Sequence, residues 1–264
     1  MGDIEIINNL AQIFTKYNRP GDFLQIMFVY KNVKPGFFPQ FKDEPEVVPI
    51  FKKEVLPLLK ELGFYVSFKH GGYVTLSHHL YKSWNGLGFH FKNKNLGPHY
   101  LGYPECCQIR FNSFTNLISL SLYYTLKKVI VDHDTKSADG IKQLISDMIE
   151  LEEYQPCVVR CKETHNRANS LRRVRGMFIK LLPRTYLIQK KIDVKSNLIF
   201  AIGILNEPYV QSKIKKQLKL LKKSNMRELF SLDDDFFNVI EEFLSNPGSK
   251  KKLLAEMEVY LKHL

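Results

Sequence analysis

The chain has 264 residues, of which 44% are hydrophobic and 25% charged, and this composition is typical of a folded globular protein with one large domain or two modest ones. No apolar run approaches the ~20 residues of a membrane-spanning helix, and residues 1–5 match neither a signal peptide nor a myristoylation signal, so we expect a cytoplasmic protein with no membrane partner. The net charge of +12 is concentrated in the second half of the chain and favours a polyanionic partner.

The first elements are predicted to be a helix and a strand. Apolar residues recur at helical spacing over residues 3–17, with Asp3 as the N-cap. The dipeptide Pro20-Gly21 is expected to stop this helix. Residues 23–30 form a short apolar run rich in β-forming residues, which predicts a buried strand.

A second helix is predicted over residues 47–62, with Val48, Phe51, Val55, Leu59 and Leu62 facing inward. Pro57 lies inside it and predicts a kink or a break, because proline lacks the N–H that the helix needs. Gly63 is expected to end it.

The strongest hairpin signal joins residues 64–68 to residues 73–77 through two glycines. Residues 88–91 are a candidate third strand. Residues 34–39 contain two prolines and a glycine and are predicted to form a loop. The two histidines that follow the hairpin, at 78 and 79, are taken as neighbours in an extended strand, so their side chains point to opposite faces and only one could bind a given metal; exposed surface histidines are the alternative.

Helical patterns dominate after Pro104. Residues 116–131 fit one long helix or a helix followed by a strand, and residues 198–205 fit a strand or a buried helix. The predicted fold class is therefore α+β, with a small antiparallel sheet in the N-terminal part and a mainly helical C-terminal part. We expect an α+β domain over residues 1–190 and a helical subdomain over residues 191–264, or one continuous domain.

Four cysteines form two pairs, and each pair follows a proline that is suited to the start of a helix. The first pair follows Pro104 and the second follows Pro156: Cys106, Cys107, Cys157 and Cys161. At a helix start the free N–H groups and the helix dipole stabilise a thiolate, the form that binds metal or acts as a nucleophile.

Three interpretations of the cysteines stay open. They predict a zinc or iron–sulfur site with all four as ligands, His165 as a further ligand and His99 as a substitute. They also fit a thiol enzyme in which Cys106 or Cys107 is the nucleophile and His99 or His165 the base. The third interpretation is that free cysteines pack in the core, where they are common.

The pairing of Gly102-Tyr103-Pro104-x-Cys106-Cys107 with Pro156-Cys157-x3-Cys161 resembles a family of uncharacterised, mostly archaeal proteins of unknown function. The resemblance covers residues 96–170. Members often carry Glu and Ser after the second cysteine pair, where this chain has Lys162, Glu163 and Thr164. The resemblance implies that both cysteine segments belong to one site, and it implies no reaction.

The basic residues are concentrated in two segments. Residues 160–191 hold ten Lys/Arg and one acid, and residues 213–227 hold seven and no acid. Arginine's planar fork matches phosphate, so a site for RNA, DNA or a phosphorylated ligand is predicted in the first segment, at Arg167, Arg172, Arg173, Arg175, Lys180 and Arg184. A solvated basic surface without a ligand is the alternative.

Overall fold

The computed structural model describes most of the N-terminal part of the chain and separate stretches of the rest. The described residues are 2–39, 46–87, 97–105, 108, 162–186, 188–190, 192, 196, 207–223, 234–246, 248 and 255. The chain divides into two compact units, Met1–Tyr103 with Asn169–Ile188, and Pro104–Ala168 with Gln189–Leu264. The predicted boundary at residue 190 stays a prediction.

Helix α1 (Asp3–Lys16) confirms the first predicted helix. Ile6, Leu10 and Phe14 are buried along one face, as the four-residue spacing requires. Asp3 is the first helical residue rather than the N-cap, so the predicted cap is wrong by one position. Its carboxylate instead places negative charge in the first turn, where the helix dipole favours it.

Helix α2 (Pro20–Tyr30) occupies the segment that was expected to be a strand, so that prediction is wrong. Pro20 begins this helix, because the first helical position needs no N–H and fits proline's fixed φ. Ile26, Met27 and Phe28 are all fully buried. A helix that is buried on every side shows no amphipathic period, and its apolar run is indistinguishable from that of a buried strand.

The helix around Pro57 is continuous but changes its winding. Helix α3 (Val47–Ile50) is followed by a π-helical turn (Phe51–Val55) and then by α4 (Leu56–Glu61). Pro57 donates no hydrogen bond, and its ring crowds the carbonyl four residues earlier. A wider turn just before the proline accommodates both effects, so the predicted disturbance takes the form of a π-helical turn.

Gly63 ends this helix as predicted. Its φ is +82°, which glycine adopts without the penalty that a Cβ brings. The Gly63 N–H donates to the Lys60 carbonyl at 3.0 Å, and the Phe64 N–H donates to the Leu59 carbonyl at 2.9 Å. This pair of bonds satisfies carbonyls that the helix end would otherwise leave open.

The described sheet has three antiparallel strands in the order β1-β3-β2. Strands β2 (Tyr65–Ser67) and β3 (Tyr73–Thr75) form the predicted hairpin. The third strand is β1 (Gly36–Phe37), in the segment predicted to be a loop, and Gly36 lies opposite Thr75. A two-residue strand is too short for an alternating pattern, so only its long-range pairing reveals it. The predicted strand at residues 88–91 lies outside the described residues.

Helix α5 (His78–Gly86) follows the sheet directly. The Ser77 hydroxyl accepts a hydrogen bond from the Leu80 N–H at 3.2 Å and so caps the helix. The assignment of His78 and His79 to a strand is therefore wrong, because both lie in the first turn of α5.

An aromatic cluster joins α5 to the sheet and to the short helix α6 (Gly97–Tyr100). Trp84 and Tyr73 are stacked with ring centroids 5.1 Å apart. The Tyr73 hydroxyl donates to the Tyr100 carbonyl at 2.8 Å, and the Trp84 Nε1–H donates to the Lys69 carbonyl at 3.1 Å. These bonds satisfy the polar atoms that the two rings carry into the core.

Helix α7 (Lys162–Phe178) and the 3₁₀ turn Ile179–Leu181 follow in the described part of the chain. Leu171 is fully buried. The Phe178 ring meets the edge of the Phe23 ring at 6.3 Å, so the end of α7 packs on α2 within the first unit.

Helices α8 (Pro208–Lys223) and α9 (Asp234–Ser245) contact each other in the second unit. Each buries one apolar face, as its helical spacing predicts: Ile214, Leu218 and Leu221 on α8, and Phe236, Phe237 and Ile240 on α9. The Lys222 Nζ lies 2.5 Å from the Glu241 Oε1 and links the two helices.

The small antiparallel sheet in the N-terminal part and the helices after it confirm the α+β class. None of the helices in the described ranges has the length and apolar composition that crossing a bilayer requires. The predicted segments at residues 116–131 and 198–205 lie outside the described residues.

Candidate polyanion-binding surfaces

The four predicted cysteine ligands, Cys106, Cys107, Cys157 and Cys161, lie outside the described residues, as does the side chain of His165. Near the first pair, the Gln108 N–H donates to the Pro104 carbonyl at 3.0 Å, as expected of a helix that begins at the proline. The residues that the structure describes contain no group of three or more His, Cys, Asp or Glu able to hold a metal. The metal site and the thiol enzyme therefore stay predictions.

Three described histidines of the N-terminal part have aromatic neighbours. His99 is exposed and meets the Tyr100 ring edge at 5.5 Å. His78 lies against the Tyr65 ring at 5.0 Å, and His70 meets the edge of the Trp84 ring at 6.0 Å.

The predicted arginine site begins on the part of α7 that belongs to the first unit. Arg173 is exposed, whereas Arg172 and Arg175 are half-buried beside the apolar face of the helix. The Arg172 Nη1 donates to the Asn169 Oδ1 at 3.1 Å, which holds its guanidinium along the helix. Burial lowers the pKa of Arg175 from its usual value, and the nearby Tyr186 opposes this effect.

The remaining predicted cations differ in position. Lys180 and Arg184 are exposed in the first unit, after the end of α7. Arg167 is half-buried and belongs to the second unit. In the first unit, Arg173, Lys180 and Arg184 are therefore the predicted cations that are open to a ligand.

Helix α8 presents a larger cationic face in the second unit. Its sequence contains six lysines and no acid. Five of them are exposed: Lys213, Lys215, Lys216, Lys219 and Lys222. The residues predicted to bind a polyanion do not include these lysines, although residues 213–227 contain no acid and residues 160–191 contain one.

The lysines of α8 differ in their neighbours. Lys222 is paired with Glu241, and the Lys213 Nζ lies 4.4 Å from the centroid of the Tyr209 ring. Among the described residues, none forms an ion pair with Lys215, Lys216 or Lys219. These three ammonium groups are therefore available to a dissolved anion.

Exposed aromatic rings can stack on nucleic-acid bases, so burial decides which rings are available for this. Trp84 and Tyr100 pack in the core of the first unit. Tyr209 is exposed on α8 in the second unit, and the exposed Phe, Tyr or Trp rings in the described part of the first unit are Tyr65 and Phe68. Their exposure depends on which side of the hairpin faces the helices, and the sequence alone does not specify that.

No family model, no curated protein and no solved structure matches this chain. The resemblance to the archaeal family therefore stays a prediction, and the functional argument rests on the chain's own residues.

Proposed function

We propose that this chain binds nucleic acid, and that the exposed lysines of α8 supply the main contacts to the phosphate backbone. The observation that carries the proposal is the division of α8 into two faces. Ile214, Leu218 and Leu221 are buried, and the lysines between them are exposed with no acid in the helix.

The charge pattern of α8 has an energetic cost in the free protein. Lys219 lies four residues from Lys215 and three from Lys216, so like charges meet on one surface. Each such pair destabilises a helix by about 0.2–0.5 kcal/mol, or roughly 0.4–1 kcal/mol for these two pairs. A bound row of phosphates removes this repulsion, and it releases counterions from the nucleic acid as well.

Nucleic acid is favoured over a small phosphorylated ligand by the layout of the charges. Lys215 and Lys222 are seven residues apart, or about 10 Å along the helix at 1.5 Å per residue. A row of that length matches successive phosphates of a strand, whereas a single phosphate group meets only one end of it. The exposed Arg173, Lys180 and Arg184 add a second cationic surface in the first unit.

The test measures binding of a labelled twelve-nucleotide oligothymidylate by fluorescence anisotropy, from about 0.05 to 0.5 M salt. The variant Lys215→Gln/Lys216→Gln/Lys219→Gln removes three charges. We expect affinity about 100-fold weaker at ~0.1 M salt, and a log–log salt slope smaller by about 2, because each phosphate contact on a single strand contributes about 0.7.

The matched control is the triple Lys→Arg variant at the same positions, which keeps the charge and should retain the wild-type affinity and salt slope. Circular dichroism checks that both variants keep their helices. Equal affinity of the Gln and Arg variants at every salt concentration would exclude α8 as the binding surface. Absence of salt-dependent binding by the wild-type chain would refute the proposal as a whole.

A further inference from the structure

A cleft of about 520 Å³ lies beside strand β2 in the first unit, within the size range of small-ligand sites. Leu56 and Lys60 of α4 line one side of it, and Tyr81 of α5 lines another. Residues 63–66, which include Tyr65, and Phe68 line the rest of it. The cleft therefore lies where the hairpin meets α4, which precedes it, and α5, which follows it.

Two large aromatic side chains are exposed at this cleft. Tyr65 is 38% exposed and Phe68 is 40% exposed, although each is a residue type that folding usually buries. The Tyr65 ring lies 5.0 Å from the His78 ring and 5.6 Å from the Tyr81 ring, with interplanar angles of 33° and 32°. Both pairs are tilted rather than parallel, and the exposed part of the Tyr65 ring is the surface that a further flat ring would meet.

Two lysines lie near these rings. The Lys52 Nζ lies 4.8 Å from the centroid of the Phe68 ring, and Lys60 lines the cleft itself. Residues 47–87 contain five lysines and two acids, a net charge of +3, together with three histidines. An apolar peptide side chain would gain nothing from this charge, whereas a nucleotide has a flat apolar base next to a phosphate.

We propose that this cleft holds a base of a single-stranded nucleic acid, with the Tyr65 ring as the stacking surface and Lys60 beside the adjoining phosphate. The inference rests on the proposed function and adds that the protein contacts a base of the nucleic acid as well as its phosphates. A duplex keeps its bases stacked inside, so the cleft selects single strands. Stacking is tolerant of sequence, because every base has a flat π-face.

The experiment compares two probes of equal length and charge: a twelve-nucleotide oligothymidylate and a twelve-residue abasic oligonucleotide. The variants are Tyr65→Leu, which keeps an apolar side chain but removes the ring, and Tyr65→Phe, which keeps the ring. We expect Tyr65→Leu to weaken binding of the oligothymidylate by between about 5- and 150-fold, with an unchanged salt slope. Tyr65→Phe should bind like the wild type, and neither variant should change binding of the abasic probe.

Thermal unfolding checks that the variants fold, and Phe68→Leu provides a second test if Tyr65→Leu lowers the melting temperature. Steeply salt-dependent binding of both probes, with equal affinity and no effect of Tyr65→Leu, overturns the base site and leaves the proposed function intact. An equal loss on both probes also overturns it, because the effect would not come from stacking. If the wild type binds neither probe, both proposals fail.

Discussion

The substitution Gly36→Ala tests whether the close packing of β1 against β3 stabilises the first unit. Gly36 lies opposite Thr75, so Tyr73, two residues along β3, is its diagonal neighbour on the same face. A Cβ at position 36 would lie 2.7 Å from the Tyr73 Cε2 and closer still to its Cζ and Oη. Tyr73 is fully buried between Trp84 and Tyr100, so its ring has no free space to move into.

The expected magnitude is the difference between two opposing effects. Overpacking in a buried region costs typically about 1–3 kcal/mol. Replacing glycine by alanine recovers about 0.4–1 kcal/mol through the entropy of the unfolded chain, since Gly36 is not among the described glycines with positive φ. We therefore expect a net loss of about 1–2 kcal/mol in the free energy of unfolding.

The chain contains one tryptophan, so Trp84 fluorescence reports on this region during urea unfolding. With a denaturant slope of about 2 kcal/mol per molar, the midpoint should fall by about 0.5–1 M at unchanged slope. Gly86→Ala is the matched control, because a Cβ at position 86 would meet no atom within 4 Å. Its midpoint should stay at or slightly above that of the wild type.

A double-mutant cycle with Tyr73→Phe identifies the cause. Removing the Tyr73 hydroxyl removes the atom that lies nearest to the new methyl group, so Gly36→Ala should be less harmful in the Tyr73→Phe background, by about 1 kcal/mol. Strict additivity of the two substitutions, or a loss from Gly36→Ala no larger than that from Gly86→Ala, would refute the packing argument.

Two further predictions concern the cap of α5 and the pH dependence of stability. Ser77→Ala removes the hydroxyl that accepts from the Leu80 N–H and should lower the free energy of unfolding by about 1 kcal/mol. Ser77→Asp keeps an accepting oxygen at this position and should retain most of the stabilisation by the cap. A urea midpoint of the alanine variant equal to that of the wild type, measured by Trp84 fluorescence, would contradict this. Burial raises the pKa of Tyr73 above its usual 10.0. The stability that the protonated Tyr73 side chain contributes is therefore fully present below about pH 10 and is lost as the pH rises further. Between about pH 10 and 11 the wild type should therefore lose stability faster than Tyr73→Phe, by up to about 1.4 kcal/mol per pH unit, and parallel pH profiles of the two would show that Tyr73 does not titrate in this way.

Sequence patterns predicted the elements whose signals are local and failed where the signal depends on other parts of the chain. Helix α1 and helix α8 each bury one face, so their apolar residues recur at helical spacing. Helix α2 is buried on all sides, so its apolar residues show no such spacing, and the sequence pattern alone indicates a strand there. At His78 the missing information was the Ser77 cap, which starts α5 two residues after the end of β3.

The candidate sites divide in the same way. The acid-free run of lysines in α8 and their spacing around buried Ile214 and Leu218 are visible in the sequence. The cleft is not, because Tyr65, Phe68 and Tyr81 come together only when the hairpin packs beside α4 and α5. The cysteine centre stays a sequence prediction, since its four thiols lie outside the described residues.

By itself the sequence determined the amphipathic helices, the hairpin, the glycine that ends α4 and the position of the positive charge. Each of these depends on a few neighbouring residues, through side-chain spacing, backbone freedom or charge. Only the tertiary structure decided that α2 is a helix, that Gly36 pairs across the sheet with Thr75, and that Tyr65 stays exposed at a cationic cleft. Those outcomes depend on which surfaces are buried against each other, and burial is set by contacts between residues far apart in the chain.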